Sequence, residues 1–293
     1  MDNYVIITDS TCDLTDELAK SLDINVQPMT FIIDNKEYKN YFDEREMPLS
    51  EFYSEMRKAK IAKTAQLNIV DVENYFRPFL EKGLDILNIC FSSALSGTYN
   101  AMNLAKEELL EEFPDRKIFI VDSLNASTGE GILAYSAALN KKNNMSLEDN
   151  VNYCEELKKR IRSWFIVDDL DTLKRGGRLS GATAFAAKLL NIKPVLRVNE
   201  TGHLENVYKK RGRKASINQL IESSIDNIDA NYNGYTFVSH ADSYDDALIV
   251  KNKLQEKYDE LNIKSEIIIA KIGPVIGAHS GPGTIAIFTV GKK

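Results

Sequence analysis

The chain has 293 residues, 43% of them hydrophobic, and a formal net charge of −6. That supplies core material for one large domain or two ordinary ones. The acidic balance argues against a dedicated nucleic-acid binder, which needs positive surface to neutralise phosphates.

In chain order, the first half alternates short apolar runs with helical patterns, the mark of βαβ units. Tyr4 to Thr8 reads as a strand, Asp13 to Leu22 as a helix and Asn25 to Ile33 as one extended segment. Residues 34–62 carry few signals beyond a helix near Leu49 to Lys58. Ile86 to Phe91 is a strand, followed by a helix from Gly97 to Glu112. Ile118 to Val121 is a third strand, followed by a helix from Thr128 to Asn140. A polar stretch, 141–146, then interrupts the pattern. Leu147 to Ser163 has the apolar spacing of a long helix, and Trp164 to Val167 reads as a strand. Pro194 to Val198 and Leu204 to Tyr208 flank Glu200-Thr201-Gly202 as a β-hairpin. Helix, strand, helix and strand follow at Ser216–Ile228, Thr236–His240, Tyr244–Leu261 and Ser265–Lys271, with a last strand at Thr284–Val290. The fold class expected is α/β in two domains: a parallel-sheet α/β domain over 1–155 and an α+β domain over 156–293.

No apolar run approaches the roughly 18 residues of a membrane span. Met1-Asp2-Asn3-Tyr4 has no basic segment ahead of an apolar one, so no signal peptide is expected. Cys12, Cys90 and Cys154 are odd in number and far apart. They suit buried free thiols in a reducing cytoplasm rather than a disulfide framework or a zinc site.

Three strands of the first half end in hydroxyls and acids: Thr8-Asp9-Ser10-Thr11, Ser92-Ser93-Ala94-Leu95-Ser96-Gly97-Thr98, and Asp122-Ser123. In an open parallel sheet, ligands bind beyond the carboxyl ends of the strands, where hydroxyls and helix N-terminal amides favour an anion. The same residue types cap helices at any βα turn, which suffices for Thr11 and Asp13. The hydroxyl density of 92–98 exceeds the need of one cap. Gly273 to Gly283 holds four glycines and two prolines around His279. So rigid a loop buries little, which makes His279 a candidate ligand contact, whereas His203 and His240 read as structural. Asp168, Asp169 and Asp171 lack further ligands at a metal-site spacing. No phosphate-binding GxxxxGK[ST] loop is present. Gly129-Glu130-Gly131-Ile132-Leu133-Ala134 fits a dinucleotide pattern only formally, starting eight residues after Val121, and reads as close helix packing.

Thr8–Thr11, Ser92–Tyr99, Gly177-Arg178, Arg211 with Arg213, and Gly273–Gly283 occur in the order and spacing of DegV proteins. The chain resembles these fatty-acid-binding subunits of bacterial fatty acid kinase over essentially its whole length. The resemblance implies two α/β domains with an acyl tunnel. It implies a carboxylate site at Thr64, Ser93, Ser96, Gly97 and His279, and positive groups at Arg178 and Arg211 near the site of phosphoryl transfer. It implies no catalysis, metal or cofactor in this chain, and two partners: a long-chain fatty acid and a separate ATP-binding kinase subunit. Two departures stand out. Thr64-Ala65-Gln66-Leu67 lacks the usual Ser and Pro of the Thr motif, and Ala94 replaces a common Gly.

The physics agrees. Each buried CH₂ gains roughly 0.8 kcal/mol, so a sixteen-carbon chain gains on the order of 10 kcal/mol. Its carboxylate must be paired at the tunnel mouth, because an unsatisfied charge costs several kcal/mol. Phe31–Phe52 and Phe185–Leu190 are candidates for closing the tunnel. Two rival readings stay open: an acyl hydrolase or small-molecule transferase using Ser93 or Ser96 with His279 as base, and an interaction protein using the basic run 209–214.

Overall fold

A computed structural model describes residues 3–168, 170–178, 191–226 and 228–292. The first strand, β1 (Tyr4–Asp9), is buried along its whole length. Tyr4 and Ile6 join one hydrophobic cluster, Val5 and Ile7 another, as expected for a parallel sheet covered on both faces. Helix α1 (Asp16–Ser21), capped by the Thr15 hydroxyl, leads to β2 (Ile24–Gln27), which pairs parallel to β1. Strands β3 (Thr30–Ile33) and β4 (Lys36–Lys39) form a hairpin. Asp34 and Asn35 turn it at φ of 54° and 59°, the left-handed values that a two-residue hairpin loop favours. After α2 (Leu49–Arg57), β5 (Lys63–Ala65) completes a three-stranded antiparallel sheet with them. Helix α3 (Ile69–Glu81) starts from a capping box of Asn68 and Asp71. β6 (Asp85–Cys90), α4 (Thr98–Glu112) and β7 (Ile118–Asp122) then complete a four-stranded parallel sheet, ordered β2-β1-β6-β7.

Helices α5 (Thr128–Lys142) and α6 (Leu147–Leu157) follow. The chain then enters a second sheet with β8 (Ile161–Ile166), short helix α7 (Asp171–Arg175), and the hairpin β9 (Ile192–Val198) and β10 (Leu204–Arg211). It continues through α8 (Arg213–Ile225), β11 (Tyr235–His240), α9 (Tyr244–Leu261), β12 (Glu266–Lys271), α10 (Pro274–Ser280) and β13 (Ile285–Val290). The six strands run β10-β9-β8-β13-β11-β12, with β11–β12 the parallel pair. One face of this sheet, with Phe165, Phe237 and Phe288, shares a core with β1, β6 and α5. The other face packs Val238, Ile285 and Ile287 beneath α8 and α9. The architecture is mixed α/β, a parallel-sheet N-terminal domain followed by an α+β domain. Among the described residues, no helix is long and apolar enough to cross a membrane.

Several expectations are corrected. The single extended segment 25–33 is two strands in two different sheets. The long helix expected to run to Ser163 ends at Leu157, and β8 begins at Ile161. The β-branched and aromatic content of Ile161 to Ile166 outweighs the helical spacing there. The Gly-Pro loop around His279 contains a helix, α10, entered through Pro274 at its first position, where the missing N–H costs nothing. Phe185–Leu190, one candidate for closing the tunnel, lies outside the described residues.

Candidate functional site

A cavity lies beyond the carboxyl ends of β6 and β7, against the face of the six-stranded sheet. Phe91 and Leu95 line it from the turn after β6, Phe165, Ala286 and Phe288 from the sheet, and Val275 and Ile276 from α10. Two hydroxyls, of Ser127 and Thr284, also line it, but they donate to Asp13 and to the Ser280 and Gly281 carbonyls.

Polar groups gather at one end: Thr64, Gln66, Ser96, Arg178, His279 and Ser280. Thr64, on β5, places its Oγ1 2.9 Å from His279 Nε2, on α10. Burial, with the Arg178 charge adding, pushes the His279 imidazole down to about 4, so the ring is neutral near pH 7. Among the described residues its buried Nδ1 has no hydrogen-bond partner, and neither has Ser280 Oγ. The Arg178 guanidinium donates to the carbonyls of Leu95, at 3.1 Å, and Gly176. Ser96 Oγ lies 2.9 Å from Thr98 Oγ1 and accepts the Thr98 N–H. If Thr98 donates, the Ser96 hydroxyl proton is free to turn into the cavity.

The remaining expected residues fall elsewhere. Ser93 is exposed, its N–H donating to Asp122 Oδ1 at 3.1 Å, and it does not line the cavity. Gly97 sits just outside, where an added Cβ would collide with the Gln66 amide. Arg211 is exposed at the end of β10. Its neighbour Arg213 is engaged with Asp168 and Asp246. Among the described residues no cluster suits a metal ion; Asp169 lies outside them. His279 makes no hydrogen bond to Ser93 or Ser96, and no described carboxylate orients its Nδ1.

A family model described as DegV, an uncharacterised protein family, matches residues 3–292. The chain belongs to the DegV family. It is 41% identical to a DegV domain-containing protein of Clostridium perfringens, over 99% of this chain and 98% of that one. Its fold is similar to that of DegV, described as a fatty acid binding protein, from Bacillus subtilis, with a TM-score of 0.85, 30% identity and full coverage of both chains. It is equally similar to a DegV family protein from Thermus thermophilus whose structure is titled for fatty acid binding, with a TM-score of 0.85 and 28% identity over 99% of this chain and 100% of that one.

Sequence reasoning missed a second feature of this DegV-family fold, an acidic knot behind the cavity. Thr8 Oγ1 donates to Glu130 Oε1 at 2.8 Å. Thr11 Oγ1 lies 2.5 Å from Asp9 Oδ1 and 2.8 Å from Glu130 Oε2. A threonine hydroxyl has one proton, so it donates to one of these and the other must donate to it. Asp9 also accepts the N–H groups of Thr11 and Phe91, which suits a carboxylate. Burial, with the Asp9 charge adding, holds Glu130 well above the ordinary carboxylate range. Glu130 is therefore the protonated partner. Asp13, at φ 48°, accepts from Ser127 Oγ at 2.5 Å and from Gly273 N at 2.9 Å. It thereby ties the cavity wall to the start of α10. Burial raises the Asp13 carboxyl to about 7. The helix-packing reading of Gly129 and Gly131 agrees with the structure: a Cβ on Gly131 would strike the Cys12 carbonyl.

Proposed function

We propose that this protein binds one long-chain fatty acid, with its tail in the apolar cavity and its carboxylate at Thr64, Ser96 and His279. It then presents that carboxylate to a separate ATP-dependent kinase for conversion to acyl phosphate. The observation that carries the reading is the Thr64–His279 pair, its His279 Nδ1 without a partner among the described residues, closing one end of a largely apolar cavity. The related proteins whose structures are described as fatty-acid-binding support the ligand class. Arg178 sits beside His279 and supplies positive charge where a phosphoryl group would arrive. Arg211 belongs to the partner-facing surface in this reading, and the buried free thiols fit a reducing cytoplasm.

The same pair supports a second reading. A threonine hydroxyl 2.9 Å from a neutral imidazole is half of a nucleophile–base arrangement. Turnover of a long-chain acyl ester by the protein alone separates the two. The binding reading expects saturable palmitate binding, no ester turnover, and acyl phosphate only when a cognate kinase, ATP and Mg²⁺ are added. Product without the kinase would make this chain an enzyme.

A further inference from the structure

Outside the cavity, Thr64, Arg178 and His279 also border a second hollow. Lys63 from β5 and Thr172 and Arg175 from α7 form its wall, and among the described residues no carboxylate lines it. Lys63 makes no ion pair among the described residues. Arg175 donates to the neutral Thr172 hydroxyl at 3.2 Å, and Arg178 to two carbonyls. None of these contacts neutralises charge. The adjoining hollow shares Thr172 and Arg175 but includes Asp168, so the acid-free lining is local to the mouth. In a chain of net charge −6, gathered cations without an acid repel one another unless an anion joins them.

We propose that this outer hollow is a phosphoryl site, in which Lys63, Arg175 and Arg178 grip a tetrahedral dianion attached to an acyl chain held in the inner cavity. The inference rests on the fatty-acid reading above and names the residues that would hold the phosphorylated head group. Guanidinium forks and an ammonium make charge-assisted bonds to phosphoryl oxygens, and the Thr172 hydroxyl adds a donor. A carboxylate held at Thr64 and His279 lies where the two hollows meet, so a group added to it enters the outer one.

Hexadecylphosphonate, a stable acyl-phosphate mimic, tests this against palmitate by calorimetric titration at pH 8.5, where the phosphonate is largely a dianion. Lys63→Ala and Arg175→Ala should each weaken phosphonate binding about tenfold. Palmitate affinity should move less than about threefold, and raised salt should shrink the phosphonate effect. Equal losses for both ligands, or unchanged phosphonate binding, would overturn the site. If wild type binds neither ligand, the fatty-acid reading fails and takes this inference with it. Thermal melting of the two variants, whose altered side chains are exposed, separates lost binding from lost fold.

Discussion

Around Asp9, Asp13 and Glu130 every carboxylate oxygen has a hydrogen-bond partner. At the cavity mouth, His279 Nδ1 and Ser280 Oγ have none among the described residues. Both regions bury titratable groups, and desolvation moves both away from their charged forms. The knot meets that cost internally, by sharing protons among hydroxyls and acids. The mouth leaves it standing for a ligand to relieve. Gln27, Asn88 and Asn206 also bury a side-chain oxygen without a partner among the described residues, but they do not line the cavity; it is the missing partners together with the cavity that mark the mouth as a binding site.

The sharpest break of this contrast is at Glu130. Glu130→Ala should cost about 2–4 kcal/mol, because it leaves a void and two buried threonine hydroxyls short of a partner. Glu130→Gln should cost under about 1 kcal/mol, since its amide can donate to Thr11 and accept from Thr8 as the protonated acid does. Denaturant melts of both variants give the comparison; equal losses would mean that Glu130 is ionised.

Asp13 allows a second test, through pH. Its folded value of about 7 lies above its ordinary 3.8, so between those pH values the native state holds a proton that the unfolded chain has released. Stability therefore falls as pH rises through that window. Asp13→Asn should flatten the stability profile between about pH 4 and 7 by up to ~1.4 kcal/mol per unit. An unchanged profile would remove Asp13 as a titrating tie between α10 and the cavity wall.

At the mouth the expected effects fall on ligand affinity. Gly176→Ala would drive a Cβ into His279 Nδ1, and should weaken palmitate about tenfold by displacing the ring. His279→Ala should produce a similar loss with little change in melting temperature. Smaller still, Ser96→Ala should weaken palmitate a few-fold, about 0.5–1 kcal/mol for one hydrogen bond. Ser93→Ala, at an exposed residue, should leave it unchanged. Calorimetric titration ranks all four.

The sequence showed the parallel strands plainly, because β1 and β6 are buried on both faces and read as continuous apolar runs. It showed α9 to the residue, through its length and spacing. Helix α3 was missed although its signals exist: the Asn68–Asp71 capping box and Val72, Phe76 and Leu80 at helical spacing. Pro78 inside it reads as a break. Strands β4 and β5, four and three residues long with little burial, offer almost no period to detect. His279 stood out by its glycine- and proline-rich loop, whereas Thr64 and Arg178 were legible only through family resemblance, since β5, α10 and the segment after α7 meet only in the folded chain. The knot was hidden because Glu130 sits in a glycine pattern and Asp9 and Asp13 pass for ordinary caps. Their pairing across more than a hundred residues leaves no local trace.

The central claim is that the cavity holds one fatty acid, and it is tested most directly on the purified protein itself. The protein should be expressed in bacteria, purified without added lipid, and extracted with organic solvent for mass spectrometry. The account predicts about one long-chain fatty acid per chain, reduced in His279→Ala protein that melts like wild type. Repeated extraction without stoichiometric lipid, together with no saturable uptake of added palmitate, would contradict it.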